Sequence, residues 1–323
     1  MKKFLALILS LSLVFSLAAC TGKTQAPKEK AQIKIASLKG PTGIGTAKLM
    51  SDNEAGTTKN SYTVSLVSDP NEVASGIIAG TYDVAACPLN LASVLYKKTN
   101  GNIQMLNINT LGVLYLLENG NTINSINDLA GKTIYATGQG ATPEYVLNYI
   151  LEKNGLKEKV KIEYKAQHAE LATLMASGEV VIGMLPEPNV TSTIAQNKNV
   201  RIALNLTKEF EKVSGVSLAM GCLVVRKDFA EANKAAIDTF MQEYKASVEY
   251  TKTNLDETST LCETYGIIPK AAMAKMAIPN CNIAFIAKAD MKKMATENLT
   301  VLMNANPQSV GGAIPGEDFW YGA

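Results

Sequence analysis

The residue types that carry most enzyme and metal chemistry are scarce in this chain. Of its 323 residues, five are cysteines and one is a histidine, His168. A metal site built from several histidines is therefore excluded, and a Ser-His-Asp triad would have to use His168. That histidine precedes a predicted helix, has no cysteine or acid placed as a clear partner, and is predicted to lie at the surface. This scarcity weakens several classes of enzyme, and we expect no cofactor and no metal.

Two glycine-rich segments are the strongest candidates for a binding site. The first reads GPTGIG from Gly40 and the second GQGATPE from Gly138, each between a predicted strand and a predicted helix. Glycines let the backbone approach a ligand, and free N–H groups in a first helical turn carry a partial positive charge. Thr142 is predicted as an N-cap with Pro143 as the first helical residue, and Thr42 in a similar role. Neither segment is a nucleotide-binding P-loop. The alternative is that these glycines only make tight turns.

Polar side chains follow two further predicted strands, in the segments Pro88-Leu89-Asn90 and Pro186-Glu187-Pro188-Asn189. Asn90 can donate and accept hydrogen bonds. Glu187 can accept from an amine, amide or hydroxyl of a ligand, or it can offset the dipole of the following helix. Tyr115, Tyr135 and Trp320 could stack on a flat ligand, although packing roles are preferred for all three. The predicted ligand-binding residues are Gly40, Pro41, Thr42, Gly43, Asn90, Thr137, Gln139, Gly140, Thr142 and Glu187.

These segments recur at a fixed spacing along the chain. Four pairs are each 98 positions apart, namely Gly40 and Gly138, Glu72 and Glu170, Gly80 and Gly178, and Pro88 and Pro186. Strand and helix patterns alternate around both members of each pair, which predicts mostly parallel sheets with helices on their faces. The predicted fold is therefore α/β, with two lobes that repeat one arrangement. Clefts outside the carboxyl ends of parallel strands are where small ligands bind.

The pattern changes after about Val213. One more apolar strand is predicted at residues 218–225, followed by a long helix at residues 228–253 and further helices to about Met303. We interpret this part as the chain returning to complete the first lobe. The predicted division is residues 32–112 for the first part of lobe 1, residues 113–216 for lobe 2, and residues 217–323 for the return to lobe 1 with C-terminal helices.

The first residues resemble an export signal. Lys2 and Lys3 precede a 14-residue apolar run that ends in Leu-Ala-Ala-Cys at Cys20. That ending resembles the lipobox of bacterial lipoproteins, which implies cleavage before Cys20 and lipid, including palmitate, on Cys20. The alternative is an ordinary signal peptide with a chance cysteine. Residues 1–19 are predicted as the signal peptide and residues 20–31 as a polar tether.

Charge and cysteine content limit the partners. The formal charge is +2, from 31 basic and 29 acidic residues, and the surplus lies in the segment that cleavage would remove. A charge-balanced body argues against nucleic-acid binding. The four remaining cysteines allow three disulfide pairings. Buried thiols are favoured for Cys87 and Cys222, and a bridge between Cys262 and Cys281 stays open.

Several motifs together resemble a known family. They are the lipobox, GPTGIG, DLAGKTIYATGQGATPEYVLNYILEKNGL, ASGEVVIGMLPEPNV and the C-terminal GGAIPGEDFWY. The chain resembles substrate-binding lipoproteins of ABC transporters, in the nitrate/sulfonate/taurine and thiamine-precursor branch, which have the type II periplasmic-binding fold. The resemblance implies two lobes joined by two crossover strands, near residues 111–117 and 214–221. It also implies a monomer on the outer face of a cell membrane, with ABC permease and ATPase subunits as partners.

The resemblance leaves the ligand open. The family often clamps an anion with an arginine, but this chain has only Arg201 and Arg226, and Arg226 lies at the far end of its strand. Val180 and Val181 stand where the family usually has an acid or a small polar residue. A heterocyclic vitamin precursor therefore fits better than a sulfonate or nitrate-like anion. The alternatives are an enzyme on the same fold, like the menaquinone-precursor enzymes, and a sensory lipoprotein without transport.

Overall fold

The computed structural model of the protein describes residues 30–323. The predicted signal peptide, Cys20 and the first ten residues of the predicted tether lie outside the described residues. Within residues 30–323, no helix is both long and apolar enough to cross a membrane.

Eleven strands within the described part of the chain form two sheets. The first has six strands in the order β2-β1-β3-β10-β4-β11, and the second has five in the order β7-β6-β8-β5-β9. Most strands of each sheet run in one direction, and β10 and β5 run antiparallel to both of their neighbours. The strands are β1 (Gln32–Leu38), β2 (Ser61–Val67), β3 (Val84–Pro88), β4 (Ile103–Leu111), β5 (Leu114–Asn119), β6 (Thr133–Ala136), β7 (Lys161–Tyr164), β8 (Ile182–Pro186), β9 (Val200–Asn205), β10 (Ala219–Arg226) and β11 (Ile283–Ala287).

Helices flank both sheets, so the predicted α/β class is confirmed. One predicted helix was wrong in extent, because the helix expected at residues 228–253 is broken at Asn233, whose backbone leaves the helical region. The α-helices are α1 (Pro41–Ile44), α2 (Ala47–Glu54), α3 (Pro70–Ile78), α4 (Leu89–Lys98), α5 (Thr142–Lys153), α6 (His168–Ser177), α7 (Asn189–Gln196), α8 (Leu206–Ser214), α9 (Lys227–Ala232), α10 (Lys234–Thr253), α11 (Leu255–Thr264), α12 (Ala271–Ala277) and α13 (Lys288–Ala305).

The 98-residue spacing has a direct structural counterpart. The first five strands of the six-stranded order, β2-β1-β3-β10-β4, match β7-β6-β8-β5-β9 strand for strand. Pro88 ends β3 and Pro186 ends β8. Gly80 and Gly178, which follow α3 and α6, both have positive φ, at 74° and 85°. The two sheets are therefore built on one plan.

The chain passes from one sheet to the other twice. It leaves β4 at Leu111 and enters β5 at Leu114, and it leaves α8 at Ser214 and enters β10 at Ala219. Each passage delivers a strand that runs antiparallel to both of its neighbours in the sheet that it enters. Separate apolar cores cover the faces of the two sheets, and all four described cysteines are free thiols within those cores.

Candidate functional site

The candidate site lies where the carboxyl ends of the parallel strands of the two sheets face each other. The first loop (residues 40–45) follows β1, and the second loop (residues 138–143) follows β6. The hydroxyl of Thr142 donates to Oδ1 of Asn90 at 3.0 Å. This bond joins α5, on the five-stranded sheet, to α4, on the six-stranded sheet. The predicted site residues from both sheets are therefore in direct contact.

The first loop is packed against its own sheet. The backbone N–H of Gly40 donates to the carbonyl of Ile267 at 3.0 Å. Nδ2 of Asn109, on β4, donates to the carbonyl of Thr42 at 3.2 Å. Below the loop lies Gly221 of β10, where a Cβ would be 2.4 Å from Cγ2 of Thr42. Glycine at this strand position is thus required for the loop to approach so closely.

At two positions of the first loop the structure shows why the residue is glycine. Gly40 has φ +84°, a backbone region that side chains other than glycine rarely adopt. At Gly43, a Cβ would lie 2.2 Å from the carbonyl oxygen of Leu38. The predicted N-cap role of Thr42 was wrong, because Gly40 caps α1 and Thr42 lies inside this short helix.

The second loop is more exposed. Gln139 and Gly140 are exposed, and the backbone N–H of Gly140 donates to the Glu144 carboxylate at 2.5 Å. The predicted N-cap role of Thr142 was also wrong. Ala141 occupies the cap position, and Thr142 is the first helical residue. No side chain caps this helix, and the Thr142 hydroxyl donates to Asn90 instead.

The amide of Asn90 is used at both ends. Oδ1 accepts from Thr142, and Nδ2 donates to the carbonyl of Ser309 at 3.1 Å. Ser309 belongs to a 3-10 turn after α13, and the neighbouring Val310 accepts a second bond from Ser93 of α4. Asn90 thereby connects the C-terminal segment, α4 and α5 at one buried point.

Glu187 is a carboxyl buried at the end of β8, with 1% of its surface exposed. It accepts from the backbone N–H of Thr191 at 3.1 Å and from the Thr191 hydroxyl at 3.0 Å. The helix-related alternative for Glu187 thus has a structural basis, since Thr191 lies in the first turn of α7. Burial raises the pKa of Glu187, and the Thr191 bonds oppose that shift only in part.

Glu187 lies close to residues from both parts of the molecule. Burial raises the pKa of Tyr115, on β5, and the charge of Glu187 adds to that effect. Burial also raises the pKa of the Cys281 thiol, with a further contribution from Glu187. Cys281 belongs to an apolar core that covers the first loop. A Cβ built at Gly40 would lie 3.7 Å from Cδ of Pro188, so the segment that carries Glu187 lies at the boundary between the two sheets.

The only histidine is not a surface residue as predicted. Nδ1 of His168 lies 2.6 Å from the hydroxyl of Thr137, at the end of β6. The ring is partly buried, and burial lowers its pKa to about 4. The imidazole is thus neutral at pH 7 and supports the start of the second loop.

Both arginines are paired away from the candidate site. Arg201 binds the buried Glu118 at 2.8 Å, together with the carbonyls of Gly120 and Ile123. Arg226 binds Asp228 and the carbonyl of Gly80 at the opposite end of β10 from the first loop. The prediction that Arg226 lies at the far end of its strand is confirmed.

Three contacts of the site were missed by the sequence interpretation, those of Asn109, Ser309 and Ile267. A glycine within the apolar strand of Gly221 was the one available signal, because it often marks a close approach of another backbone. Of the aromatic candidates, Trp320 packs in the core against Phe319, with ring centroids 4.7 Å apart. Among residues 30–323, no cluster of three or more His, Cys, Asp or Glu could hold a metal.

Comparison with known proteins supports the predicted resemblance. Residues 100–258 match the family model described as NMT1/THI5 like. The fold is that of periplasmic binding proteins. The chain is similar to an ABC transporter protein from Parabacteroides distasonis, with 22% identity, a TM-score of 0.75, and coverage of 90% of this chain and 99% of that one. No protein with a curated description matches the sequence.

Two further structures share the fold at lower identity. The periplasmic aliphatic sulphonate binding protein SsuA from Escherichia coli is 15% identical, with a TM-score of 0.71 and coverage of 91% of this chain and 92% of that one. The ligand-binding component of an ABC-type import system from Staphylococcus aureus, solved with zinc bound, is 14% identical, with a TM-score of 0.68 and coverage of 90% and 96%. The resemblance to this group, predicted from the motifs, is confirmed.

Proposed function

We propose that the protein is an extracytoplasmic, lipid-anchored solute receptor of an ABC importer. The observation that carries the proposal is the contact between the two sheets at the Thr142–Asn90 bond, at the carboxyl ends of their parallel strands. A ligand held between the two loops stabilises the closed arrangement, because it contacts both halves at once. The closed form then docks on a permease.

The receptor needs no reaction to do this. The one histidine hydrogen-bonds Thr137, and the buried Glu187 has Thr191 as its partner. The alternative is an enzyme on the same fold, which would use these groups in a reaction. Turnover of a bound candidate ligand by the isolated protein would favour that alternative, and an adjacent permease gene separates a transporter receptor from a sensory lipoprotein.

The residues at the boundary favour a ligand with N–H donors. Glu187 offers unoccupied acceptor positions in a buried place, since each carboxylate oxygen accepts more than one bond. Both arginines are engaged elsewhere, so neither supplies the bidentate clamp that suits a sulfonate. A heterocyclic vitamin precursor with an amino group meets this requirement better than a sulfonate or nitrate-like anion.

Thermal unfolding with a ligand panel tests the receptor. The panel contains aminopyrimidines, alkanesulfonates, taurine, nitrate and amino acids. Because a ligand that binds only the folded state stabilises it by mass action, a ligand at about 100 times its Kd should add about 2.7 kcal/mol. An aminopyrimidine is expected to raise Tm most. The receptor proposal fails if no compound of the panel shifts Tm.

The Glu187→Gln variant tests the position of the ligand. Replacement of the acceptor oxygen by an NH₂ group should weaken a binding aminopyrimidine by about tenfold or more, because two donors then face each other. Glu179→Gln is the matched control, since this exposed carboxylate precedes β8, at the opposite end of that strand from Glu187. Equal affinities of both variants and the wild type would place the ligand away from Glu187.

A further inference from the structure

Two cysteines face each other across neighbouring strands of the six-stranded sheet. Cys87 of β3 and Cys222 of β10 are register partners in an antiparallel ladder. Their Sγ atoms are 3.9 Å apart. Neither side chain is exposed to solvent. The ladder, rather than a flexible loop, therefore holds the two sulfurs opposite each other.

Directly opposed residues of an antiparallel ladder have a backbone spacing that suits a disulfide, and Cys87 and Cys222 are such a pair. A disulfide spans Cα atoms about 4.4–6.8 Å apart. Directly opposed residues of an antiparallel pair have Cα atoms about 4.5–5.5 Å apart. The two Sγ atoms, now 3.9 Å apart, can therefore reach bonding distance when the side chains adjust in the packed core. The two strands need not move closer together. No ladder sets the other two thiols opposite each other, since Cys262 lies on α11 and Cys281 follows a 3-10 turn.

We propose that Cys87 and Cys222 form a cross-strand disulfide when the chain folds under oxidising conditions. The oxidant is the disulfide of a small thiol or of another protein. One cysteine thiolate attacks that disulfide, forms a mixed disulfide and releases one thiol. The second cysteine thiolate attacks the mixed disulfide and releases the second thiol, so two electrons pass to the oxidant and each cysteine loses its proton.

The first attack takes place before β10 docks on β3, and pairing of the two strands then brings the second cysteine to the mixed disulfide. Once the strands are paired, both sulfurs lie inside an apolar core and no oxidant reaches them. Burial, with the neighbouring Cys87, also raises the pKa of Cys222, so the nucleophilic thiolate is scarce in the folded protein. The folded thiol form and the folded disulfide form are therefore both persistent, and the conditions of folding decide between them.

The bond would link β3 to β10, the strand with which the chain re-enters the six-stranded sheet after forming the five-stranded sheet. The segment between Cys87 and Cys222 contains all five strands of the second sheet, β5 to β9. A link across this segment restricts the unfolded chain strongly, because the closed loop is long. Its formation in the cell rests on the export proposed above, since disulfides persist in oxidising compartments. Its formation in a redox buffer does not depend on that export.

Refolding in a glutathione redox buffer tests the proposal. The full chain is unfolded in guanidinium chloride with reductant and refolded in oxidised and reduced glutathione. It is then unfolded again without reductant, alkylated with N-ethylmaleimide and mapped by peptide mass. We expect two of the four thiols of residues 30–323 to resist alkylation and a linked pair of peptides carrying Cys87 and Cys222. Peptide mapping separates these from Cys20.

Matched variants decide the outcome. The double variant Cys262→Ser/Cys281→Ser should retain the linked peptides, and Cys87→Ser should lose them. Alkylation of all four thiols in the refolded wild type, or a link that joins Cys262 to Cys281 instead, would overturn the proposal. The wild-type map needs no variant to fold. Ligand binding is measured separately on protein kept reduced, so failure of the disulfide and failure of the receptor function remain distinguishable.

Discussion

The first and second loops occupy equivalent places in the repeat but make different contacts. The first is fixed to its own half of the molecule by Ile267, between α11 and α12, and by Asn109 of β4. The second is exposed at Gln139 and Gly140, and from its end Thr142 reaches across to the other half. One position shows the difference well. Gly43 has no room for a Cβ, whereas its counterpart 98 positions later is Ala141.

The sequence pattern predicted one role for both loops, whereas the structure gives them different roles. The first loop is a fixed part of the site, shaped by contacts with β1, β4 and β10. The second loop is the part that contacts the opposite half, and its support includes a titratable side chain. Equivalent loops of a repeated fold therefore need not hold a ligand in equivalent ways.

The largest expected effect is at Gly43. Gly43→Ala should lower the free energy of unfolding by about 2–3 kcal/mol, because the new methyl group would be forced against the Leu38 carbonyl. Urea unfolding with an unchanged m-value measures this. Ala141→Gly is the counterpart and should cost only about 0.5–1 kcal/mol, through the greater freedom of the unfolded chain. Equal losses would show that the two loops are equally constrained.

Asn109→Ala should cost about 2 kcal/mol. It leaves the carbonyl of Thr42 and the hydroxyl of Thr110 without their partner in a buried place. Chemical denaturation measures the loss. Gln139→Ala, in the exposed second loop, is the control and should stay within about 0.5 kcal/mol of the wild type. If Asn109→Ala left the free energy of unfolding unchanged, the first loop would be held by its backbone contacts alone.

His168 should make the second half of the molecule sensitive to acid. Its folded pKa of about 4 is below the ordinary value of 6.5, so the unfolded chain binds more protons between these values. Stability from this group is present above pH 6.5 and is lost as the pH falls towards 4. Between pH 8 and pH 4 the His168→Gln variant should lose about 1 kcal/mol less unfolding free energy than the wild type. The effect is smaller than for a fully buried ring, because the ring is partly exposed to water.

The measurement is the difference in unfolding free energy between wild type and His168→Gln, from pH 8 to pH 4. Glu187 has the opposite sign, because its raised pKa makes stability fall as pH rises, but it is present in both proteins and cancels. Parallel curves for the two proteins would contradict the prediction.

The smallest expected effect is at the contact between the halves. Thr142→Val keeps the shape of the side chain but leaves Oδ1 of Asn90 without its donor. A loss of about 0.5–1 kcal/mol in unfolding free energy is expected. Thr173→Val, whose hydroxyl bonds only the carbonyl of Ala169 in its own helix, serves as the control. A loss no larger than that of the control would show that the bond between the halves contributes nothing.

Much of the fold could be predicted from the sequence because it is repeated. Prolines and glycines at a constant offset mark strand ends and helix ends, and Pro88 and Pro186 do end β3 and β8. The break at Asn233 was missed, because apolar residues continue at helical spacing on both sides of it. A hydrophobic period records which face is buried and not whether the axis is continuous.

The site was less predictable because its contacts join distant parts of the chain. Asn109 is 67 residues from Thr42, and Asn90 is 219 residues from Ser309. No local pattern encodes such pairs. Thr142 shows the same limit, since threonine before Pro143 is typical of an N-cap, yet its hydroxyl has a better-placed partner in Asn90. The burial of His168 likewise depends on the neighbouring strand β6.

The two crossings of the chain also set an order of assembly during synthesis. Every strand of the five-stranded sheet lies in one uninterrupted stretch, from Leu114 to Asn205. The six-stranded sheet cannot close until β10, which stands between β3 and β4, has been made. A ribosome therefore delivers the complete inserted sheet while the strands made earliest still lack their central partner. β3 and β4 must wait with edges that β10 has yet to cover, so the N-terminal part of the chain is the part most exposed to misassociation before synthesis ends.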